Sequence, residues 1–494
     1  MVNENPKGQA STQPKRRRKL EIENRVDHTQ PQRPSHNSRI TKLGYKLSSW
    51  YEPFDLDRVV IVGGGISGLA TLEILSPVVN EIIVIEDSMT PDLERVLEES
   101  GCKILESNNL NKLEKAISGS SLIVMSPGVP RQHPTYQLAK KHGISITTEI
   151  ELGYTRLSNS TRLVAVTGTN GKTTVTKLLV DALKRLSVDC IEAGNIGLPL
   201  ISIPQEAFQV VVCEVSSFQL SLIDRFKPDI AIWLNLQEDH LDYHGSFEDY
   251  AQSKSRIFKN LDSTSSAIVN NSFQKILDFA NDTEAKIVTF GTPDAQFSVR
   301  DGTLAQGSKV LAKVEELTRR FPHDLENDLA VLACVDALGI DPVLAVDTIK
   351  EFSGLSHRIE LAGKVGEISF YDDSKATTPA SVVAALGSFE SVILILGGKD
   401  KDLDFSIIVP ELSKVRQIIA IGQASNKIFE KFSKLVPVTI AQSMQEAVKS
   451  GYLAAQPGDA VVLSPGCASF DWYASYRQRG DDFRRSVQEL MDNQ

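Results

Sequence analysis

The sequence predicts an α/β protein with three domains and mostly parallel sheets. The chain has 494 residues, more than the roughly 250–300 residues that a single hydrophobic core supports. From Arg58 onward, short apolar runs typical of buried parallel strands alternate with helical stretches. The alternation comes in three successive sets, as expected for three units of strands and helices. The predicted segments are a tail over 1–57 and domains over 58–153, 154–353 and 354–494.

Apolar runs mark the strands of each predicted domain in turn. They are short and bounded by polar segments, as expected for strands that are covered on both faces. The predicted strands are, in the first domain, Val59–Val62, Ile82–Ile85 and Leu122–Met125; in the second, Leu163–Val166, Val210–Cys213, Ile230–Leu234, Ala267–Val269 and Ile287–Phe290; and in the third, Glu367–Tyr371, Val392–Leu396, Gln417–Ile421 and Ala460–Leu463.

Composition and charge exclude several classes of protein. The chain is 41% hydrophobic and 23% charged, which is ordinary for a globular protein, and no apolar run is long enough to cross a membrane. Its net charge of −10 argues against nucleic-acid binding through bulk charge. Scattered cysteines without a metal-binding spacing, and the lack of a signal-peptide pattern, favour reduced thiols and a cytoplasmic location.

The first 57 residues differ in composition from the rest of the chain. They are rich in Pro, Gln, Asn, Ser and Arg and lack apolar periodicity, so we predict a disordered tail. Residues 1–46 carry 11 Lys and Arg against 4 Asp and Glu, and the densest basic run is Lys15–Lys19. A solvated basic arm is the simplest interpretation; contact with nucleic acid, a membrane or a partner protein is the alternative.

The strongest chemical motif is the segment Gly168–Thr174, which follows an apolar strand and precedes a predicted helix. Gly171 permits a tight turn, so backbone N–H groups and a helix N-terminus can point at phosphate oxygens. Lys172 can reach the β- and γ-phosphates, and Thr173 can bind Mg²⁺. The loop departs from the usual phosphate-binding pattern, since Val166 stands where that pattern has its first glycine.

A second glycine-rich segment, Gly63–Gly68, follows the first predicted strand. It satisfies the pattern G-x-G-x-x-G, and Glu86 ends the second strand 18 residues after Gly68. This combination is typical of a dinucleotide site for NAD or FAD. It also fits another nucleotide with its phosphate at a helix N-terminus, or plain packing of the helix on the strand. The motif alone leaves these three interpretations open.

Polar residues follow two further strands of the second domain. Glu214 opens the segment Glu214–Gln219, and His240 lies in the acidic segment Glu238–Asp242. Open α/β sheets bind ligands just beyond the carboxyl ends of their strands. Hard oxygen ligands such as Glu214 suit Mg²⁺, and a histidine beside a phosphate-binding loop is a candidate functional residue. We therefore expect both residues near a bound nucleotide.

Three polar segments follow strands of the third domain: Asp372–Pro379, Gly397–Lys401 and Ser464–Asp471. Each by itself is more typical of a surface loop than of a site. Together they place hydroxyl groups and lysines at one edge of a sheet, which suits recognition of an anionic small molecule.

Taken together, these motifs resemble the Mur ligase family over about residues 58–494. The resemblance implies an N-terminal Rossmann-like domain that binds a uridine nucleotide, a central P-loop-type ATPase domain with a mostly parallel sheet, and a C-terminal Rossmann-like domain. In this family the first glycine-rich loop holds no redox cofactor. The matching segments are Ser126–Gly128, Thr148–Leu152, Gly168–Thr174, Glu214–Leu220, Glu238–Asp242, Lys254 within Gln252–Phe258, His357–Arg358, Asp373–Thr377 and Leu463–Ser469.

The resemblance also implies an activity. It is ATP-dependent formation of an amide bond between D-glutamate and UDP-N-acetylmuramoyl-L-alanine, a step of peptidoglycan synthesis. ATP would phosphorylate the alanyl carboxylate, and the amine of D-glutamate would displace phosphate from the acyl phosphate. The implied cofactor is Mg²⁺, ATP is a co-substrate, and the partners are small molecules. We expect a cytoplasmic monomer that binds no nucleic acid.

The same resemblance assigns roles to individual residues. The implied catalytic residues are Lys172, Glu214, His240 and Lys254. The implied metal ligands are Thr173, Glu214, His240 and Lys254 as its carbamate. The implied ATP-binding residues are Gly168, Thr169, Asn170, Gly171, Lys172, Thr173, Thr174, Asn327, Arg358 and Asp373. The implied residues for the UDP-linked substrate are Gly65, Ile66, Ser67, Gly128, Asn195, Ser216 and Gln219, and those for glutamate are Lys375, Thr377, Lys401, Ser469, Phe470 and Tyr476.

The sequence departs from the family pattern in two places. The family's G-x-H-N-x-x-N is Phe321–Asn327 here, with Asp324 in place of the first Asn, and a carboxylate there would repel phosphate. The Arg that often follows the second strand is missing after Glu86. Alternatives are a related Mur ligase, a folylpolyglutamate synthase, an NAD oxidoreductase, or a non-catalytic paralogue, whose only support is Asp324.

Overall fold

The structure is a computed structural model that describes residues 56–205, 207–400 and 403–493. The described strands form three sheets, and most strand pairs are parallel. The predicted α/β class with three mostly parallel sheets is therefore confirmed. Lys401 and residues 1–55 of the predicted tail lie outside the described residues. None of the described helices combines the length and apolar composition needed to cross a membrane.

The first sheet is wholly parallel. Its elements are β1 (Arg58–Val62), α1 (Ile66–Leu75), β2 (Glu81–Ile85), α2 (Pro91–Glu99), β3 (Lys103–Leu105), α3 (Leu110–Ser118), β4 (Leu122–Met125), α4 (Pro134–His142), β5 (Ser145–Thr147) and α5 (Glu149–Arg156). The strand order is β3-β2-β1-β4-β5. The connections leave β1 in one direction and reach β4 in the other, so the loops after β1 and β4 flank a crevice of the kind that binds ligands.

The second sheet has nine strands in the order β14-β13-β12-β11-β10-β9-β6-β8-β7. Its strands are β6 (Arg162–Thr167), β7 (Cys190–Gly194), β8 (Val210–Glu214), β9 (Ile230–Trp233), β10 (Ser266–Asn270), β11 (Lys286–Gly291), β12 (Phe297–Arg300), β13 (Thr303–Gln306) and β14 (Lys309–Lys313). The helices are α6 (Lys172–Arg185), α7 (Ser217–Leu220), α8 (Leu241–His244), α9 (Phe247–Ser255), α10 (Gln274–Asn281), α11 (Pro322–Ala337) and α12 (Val346–Glu351). Two separate apolar cores pack on its two faces, so β6, β8 and β9 are buried on both sides.

The third sheet has six strands in the order β15-β16-β20-β17-β18-β19. Its elements are β15 (Glu360–Val365), β16 (Ile368–Asp372), α13 (Pro379–Leu386), β17 (Val392–Gly397), β18 (Val415–Ile421), α14 (Ser425–Phe432), β19 (Val438–Ile440), α15 (Met444–Ala454), β20 (Ala460–Leu463) and α16 (Tyr476–Asp492). Only the β15–β16 pair of this sheet is antiparallel. Apolar cores again cover both faces.

Every predicted strand is present in the structure, with small differences at the ends. The strands that the apolar runs did not predict are short or lie toward a sheet edge. They include β3, β5 and β19, with three residues each, and the antiparallel pairs β12–β13 and β13–β14. Such strands carry too few buried side chains to produce an apolar run.

Candidate functional site

The loop between β6 and α6 is surrounded by cationic and amide side chains. Lys172 Nζ donates to the carbonyl oxygens of Gly168 at 2.9 Å and Thr169 at 2.8 Å. Lys254 Nζ, on α9, donates to the same Gly168 oxygen at 2.7 Å. Gly171 has φ +83°, and a Cβ there would lie 2.5 Å from Asn327 Oδ1. The structure thus places Lys172, Lys254 and Asn327, which are distant in sequence, around one loop.

Burial lowers the pKa of both lysines. It lowers the pKa of Lys254 well below its usual value, and the neighbouring Lys172 lowers it further, while Asp239 and Glu214 oppose both effects. Burial likewise lowers the pKa of Lys172, against the opposing attraction of Glu214 and Asp239. Two ammonium groups that share one carbonyl oxygen repel each other, so burial and the neighbouring Lys172 both disfavour the protonated form of Lys254.

Oxygen ligands for a cation lie beside the same loop. Thr173 Oγ1 donates to Glu214 Oε2 at 2.8 Å, and Asn195 Nδ2 donates to Glu214 Oε1 at 2.8 Å. The carboxylate at the end of β8 is therefore fixed in orientation next to the phosphate-binding loop. His240 is the first residue before α8; its Nε2 lies 3.5 Å from Asp239 Oδ2, and its ring packs on Phe218 at 4.8 Å.

Among the described residues, one trio of potential metal ligands has its ligand atoms close together: His357, Glu360 and Asp372. His357 Nδ1 is 2.7 Å from Asp372 Oδ2, and Arg484 Nη1 donates to Glu360 Oε1 at 3.1 Å. His357 N also donates to Glu360 Oε2 at 2.8 Å, so both carboxylates of the trio already have hydrogen-bond partners within the protein. It is a hydrogen-bonded cluster, distinct from the predicted metal ligands.

A cavity of about 350 Å³ joins the phosphate-binding loop to the third sheet. Its lining includes Gly171, Asn327, Arg358, Asp373 and Lys375, which were all predicted site residues. Arg358 Nη2 donates to Thr173 Oγ1 at 3.1 Å, across the two regions. Burial raises the pKa of Asp373 to about 7, although Ser464 Oγ, a 2.8 Å donor, and the charge of Arg358 both lower it.

The start of α7 presents a buried amide with an unused donor. Ser216 and Gln219 cap this helix reciprocally: Gln219 Oε1 accepts from Ser216 N and Oγ, and Ser216 Oγ accepts from Gln219 N. Gln219 Nε2 is buried and has no hydrogen-bond partner in the described structure. A buried donor without a partner is costly, so this group is suited to a ligand carbonyl or carboxylate.

The first glycine-rich loop leads into an uncapped helix. Gly65 precedes α1 without a side-chain cap, and the first helical residue, Ile66, is 78% exposed. The N–H groups of this turn are therefore free to bind an anion. Ser126 Oγ, at the end of β4, donates to the Gly63 carbonyl at 3.0 Å, which brings the Gly128 segment beside the loop. Ser67 follows Ile66 in the same turn.

Glu86, the acidic residue after β2, has its side chain turned toward the backbone of this loop. Glu86 Oε2 accepts from Gly64 N at 2.6 Å, and its Oε1 accepts from Ser88 N at 2.8 Å. In a dinucleotide site the corresponding acid binds ribose hydroxyl groups. Here both of its oxygens are used by the protein's own backbone, which disfavours the NAD or FAD interpretation.

Two of the residues predicted for glutamate, Lys375 and Tyr476, meet at the N-terminus of α16. Lys375 Nζ lies 4.2 Å from the centre of the Tyr476 ring, and Ser374 Oγ donates to the Tyr476 carbonyl at 2.8 Å. Ser469 is buried, whereas Phe470 is 61% exposed and Thr377 is half-buried. Burial raises the pKa of Tyr476, but the charges of Lys375 and Arg477 outweigh it and hold the pKa below its usual value.

Two arginines missed from the sequence organise the polar segments, and a third residue, Asn235, lies in the polar segment that was predicted after the strand Ile230–Leu234. Arg479 is buried and donates to the Ser374 carbonyl at 2.9 Å and the Cys467 carbonyl at 3.0 Å, joining two of the polar segments. Arg319 pairs with Asp324 at 3.0 Å, so the carboxylate that was expected to repel phosphate has a cationic partner in the structure. Asn235 Oδ1 accepts from Asn170 N at 2.8 Å. Of these three residues, only Asn235 carried a signal in the sequence, because it lies in a polar segment just beyond the end of β9.

Comparisons with known proteins agree with this arrangement. The profile of the Mur ligase MurD-like N-terminal domain matches residues 57–148, that of the Mur ligase middle domain matches 166–332, and that of the Mur ligase glutamate ligase domain matches 357–467. The UDP-N-acetylmuramoylalanine--D-glutamate ligase of Caldicellulosiruptor saccharolyticus is 36% identical over 88% of this chain and 99% of its own length. The same-named protein of Exiguobacterium sibiricum is 35% identical over 88% and 97%.

Solved structures show the same fold at lower identity. The UDP-N-acetylmuramate-alanine ligase MurC from Thermotoga maritima has a TM-score of 0.52 at 19% identity, covering 88% of this chain and 100% of its own. The MurF ligase from Thermotoga maritima, solved in complex with ADP, has a TM-score of 0.54 at 15% identity, covering 85% and 97%. The profiles and the similarity over nearly the full length of the relatives establish that this chain belongs to the Mur ligase family.

Proposed function

We propose that the protein is an ATP-dependent ligase that adds D-glutamate to UDP-N-acetylmuramoyl-L-alanine. The observation that carries the proposal is the group of residues around Gly168, where Lys172 and Lys254 meet beside the contact between Thr173 and Glu214. This arrangement supplies cations and fixed donors where a phosphoryl group transfers, which is the main requirement of such a reaction. The relatives named for this activity share 33–36% identity over 76–88% of the chain.

The three sheets divide the substrates between them. The uncapped N-terminus of α1 would bind the uridine diphosphate, and the buried Gln219 Nε2 would face the muramoyl-alanine end. The cavity lined by Asn327 and Arg358 would hold ATP, and the Lys375–Tyr476 region would receive glutamate. The boundaries near 153 and 354 separate these roles. We place the reaction in the cytoplasm and expect a monomer.

The residues present fit a magnesium ion. Thr173 and Glu214 offer hard oxygen ligands, and the neutral Lys254 amine is the form that reacts with CO₂ to give a carbamate and a proton. With His240 they would hold Mg²⁺, which when bound neutralises charge on the phosphoryl oxygens. Lys172 would orient the transferring phosphoryl group. The alanyl carboxylate attacks it to form an acyl phosphate and ADP; the amine of D-glutamate then displaces phosphate and forms the amide.

The direct test is incorporation of labelled D-glutamate into UDP-N-acetylmuramoyl-L-alanine, with ATP, Mg²⁺ and bicarbonate. L-glutamate serves as the matched control, and a shortened chain that begins near residue 57 shows whether the tail contributes. We expect incorporation of the D-isomer only, with one ADP released per amide formed. If well-folded protein incorporates neither isomer while it binds ADP, the proposed reaction is wrong.

A further inference from the structure

The segment that departs from the family pattern, Phe321–Asp324, builds a set of contacts that the proposed reaction does not explain. Asp324 is buried, and each of its carboxylate oxygens has a partner close by in the chain. Its Oδ2 accepts from Arg319 Nε at 3.0 Å, and its Oδ1 lies 3.4 Å from His323 Nε2. The side chains of Arg319 and Asp324 are only 11% and 8% exposed, so solvent screens this pair weakly.

Both partners of Asp324 reach across the cavity to the third sheet and its flanking loops. Arg319 Nη1 donates to the Ile359 carbonyl at 2.7 Å. Ser388 Oγ lies 3.2 Å from His323 Nδ1. One buried carboxylate therefore contacts two side chains: Arg319, which reaches Ile359 in the cavity wall, and His323, which contacts Ser388 after α13.

An aromatic cluster reinforces the same junction. Phe321 stands where the family pattern has glycine. The centre of its ring lies 6.0 Å from that of Tyr371 and 5.4 Å from that of Phe389. Tyr371 and Phe389 in turn contact each other at 5.1 Å. The Arg319 guanidinium lies 5.4 Å from the centre of the Phe321 ring. Arg319 thus contacts both Phe321 and Asp324, the two residues that differ from the family pattern.

The linker that Arg319 contacts is held in an unusual backbone conformation. His357 has φ +64° and Ile359 has φ +45°, and positive φ is rare for a β-branched residue. Such a conformation persists only where surrounding contacts impose it. Arg319 bonds the Ile359 carbonyl, and Asp373 Oδ1 accepts from the Ile359 amide at 3.3 Å. At the start of the linker, a Cβ on Gly354 would lie 2.9 Å from Arg319 Nη1.

Arg358 lies between these two strained residues and is the linker's contact with the phosphate-binding loop, through Thr173 Oγ1 at 3.1 Å. We propose that Asp324 and Arg319 are positioning residues: together they hold linker 354–359 in the conformation that brings Arg358 to the nucleotide. The Asp324 carboxylate orients the Arg319 guanidinium, which then bonds the Ile359 carbonyl beside Arg358. The proposal rests on the proposed function only in taking the bound nucleotide to be ATP or ADP.

The test is a double-mutant cycle read by calorimetric titration with ADP and Mg²⁺, which needs no ligase turnover. Arg319→Lys keeps the positive charge near Asp324, but one ammonium cannot reproduce the fork that reaches both Asp324 and Ile359. We expect this change to weaken ADP binding roughly 10-fold in the otherwise unchanged chain. In an Arg358→Ala background the same change should have less than about a 2-fold effect, because its target is gone.

Arg320→Lys is the matched control, since the exposed Arg320 contacts only the Leu317 carbonyl within its own segment among the hydrogen bonds found. It should bind ADP like the unchanged chain. Equal losses from Arg319→Lys in both backgrounds, or no loss in either, would overturn the proposal. Arg319→Leu leaves a buried unpaired carboxylate; if it fails to fold, Arg319→Leu combined with Asp324→Asn removes both charges and should restore folding.

A kinetic measurement separates positioning from general damage to the fold. In the active ligase, Arg319→Lys should raise KM for ATP and leave KM for the UDP-linked substrate unchanged. A rise in both would indicate a structural defect and count against the proposal. If D-glutamate incorporation fails while ADP binding retains the coupling to Arg358, the proposed reaction falls and the positioning role stands.

Discussion

Two glycine-rich loops in this molecule join a parallel strand to a helix N-terminus, yet their surroundings differ. The loop after β6 has two lysines on its Gly168 carbonyl and a fixed carboxylate beside Thr173. The loop after β1 has an uncapped helix, an exposed Ile66, and Glu86 bound to its backbone. Lysine side chains therefore surround this local geometry in one case, and in the other the described residues offer backbone N–H donors.

The difference matches what the two proposed ligands would require. A phosphoryl group that transfers develops charge that must be stabilised at fixed positions, so cations have to be in place before the reaction. A diphosphate that is only bound needs no such stabilisation, and the N–H groups of a helix N-terminus suffice. The loop pattern predicts phosphate binding in both cases, and the surrounding side chains distinguish the loop proposed for phosphoryl transfer from the loop proposed only to bind a diphosphate.

Removing Lys172 from the loop after β6 should have the largest effect on activity. Lys172→Ala is expected to lower the rate of D-glutamate incorporation by about 10²–10³-fold, because a charged donor to the transferring group is lost. Lys184→Ala, an exposed lysine in the last turn of the same helix, is the control and should retain full activity. A Lys172→Ala rate within tenfold of the unchanged protein would mean that the two loops do not differ in this way.

The junction between the two loop-bearing sheets contains a buried acid whose charge should set a pH dependence. Glu149 Oε1 accepts from Ile201 N at 2.9 Å, its Oε2 has no partner in the described structure, and burial raises its pKa from 4.5 to about 7. A pKa raised on folding stabilises the protein below pH 4.5, and this contribution is lost as pH rises through 7. The loss should reach about 3 kcal/mol.

Glu149→Gln mimics the protonated acid and should flatten this dependence. Denaturant unfolding at pH 5, 6, 7 and 8 measures it: the unchanged protein should lose stability across this range, and the variant should lose much less. Glu98→Gln, at an exposed position of α2, is the control. Parallel pH profiles for Glu149→Gln and the unchanged protein would contradict the assignment.

The smallest expected effect concerns the loop after β1. Ile66→Asp places a negative charge in the first turn of α1, where the diphosphate is expected, and should raise KM for the UDP-linked substrate roughly 10-fold. KM for ATP should not change. Leu110→Asp makes the same substitution at the exposed first residue of α3 and is the control. A rise in KM for ATP instead would show that the two loops have been assigned the wrong ligands.

The sequence predicted the parts of the site that are local in the chain. The loop at Gly171 requires positive φ and close backbone approach, so its residue types reveal it directly. Glu214 and Asn235 follow buried strands, and the carboxyl ends of parallel strands meet at one edge of the sheet. Arg319 and Arg479 could not be found in this way. Their contacts with the Ile359 and Ser374 carbonyls join residues 40 and 105 positions apart, and nothing in the neighbouring residues indicates these contacts.

Asp324 shows the limit most clearly. As a residue type in a family motif, it predicted repulsion of phosphate and gave the non-catalytic alternative its only support. The structure pairs it with the nearby Arg319, and the two charges neutralise each other. The sequence gives the sign of a charged side chain but not its neighbours. Its effect on a ligand depends on which residue pairs with it in the folded structure.

The sequence by itself determined the α/β class, the apolar strands of the three sheets and the two glycine-rich loops, because apolar runs and glycine conformations are local properties. Tertiary structure alone decided that Lys172 and Lys254 share one carbonyl, that Glu86 is occupied by backbone donors, and that Arg319 reaches the linker beside Arg358. These contacts join residues from different segments. The packing of the segments sets the distances between them, and no pattern of neighbouring residues in the sequence indicates that packing.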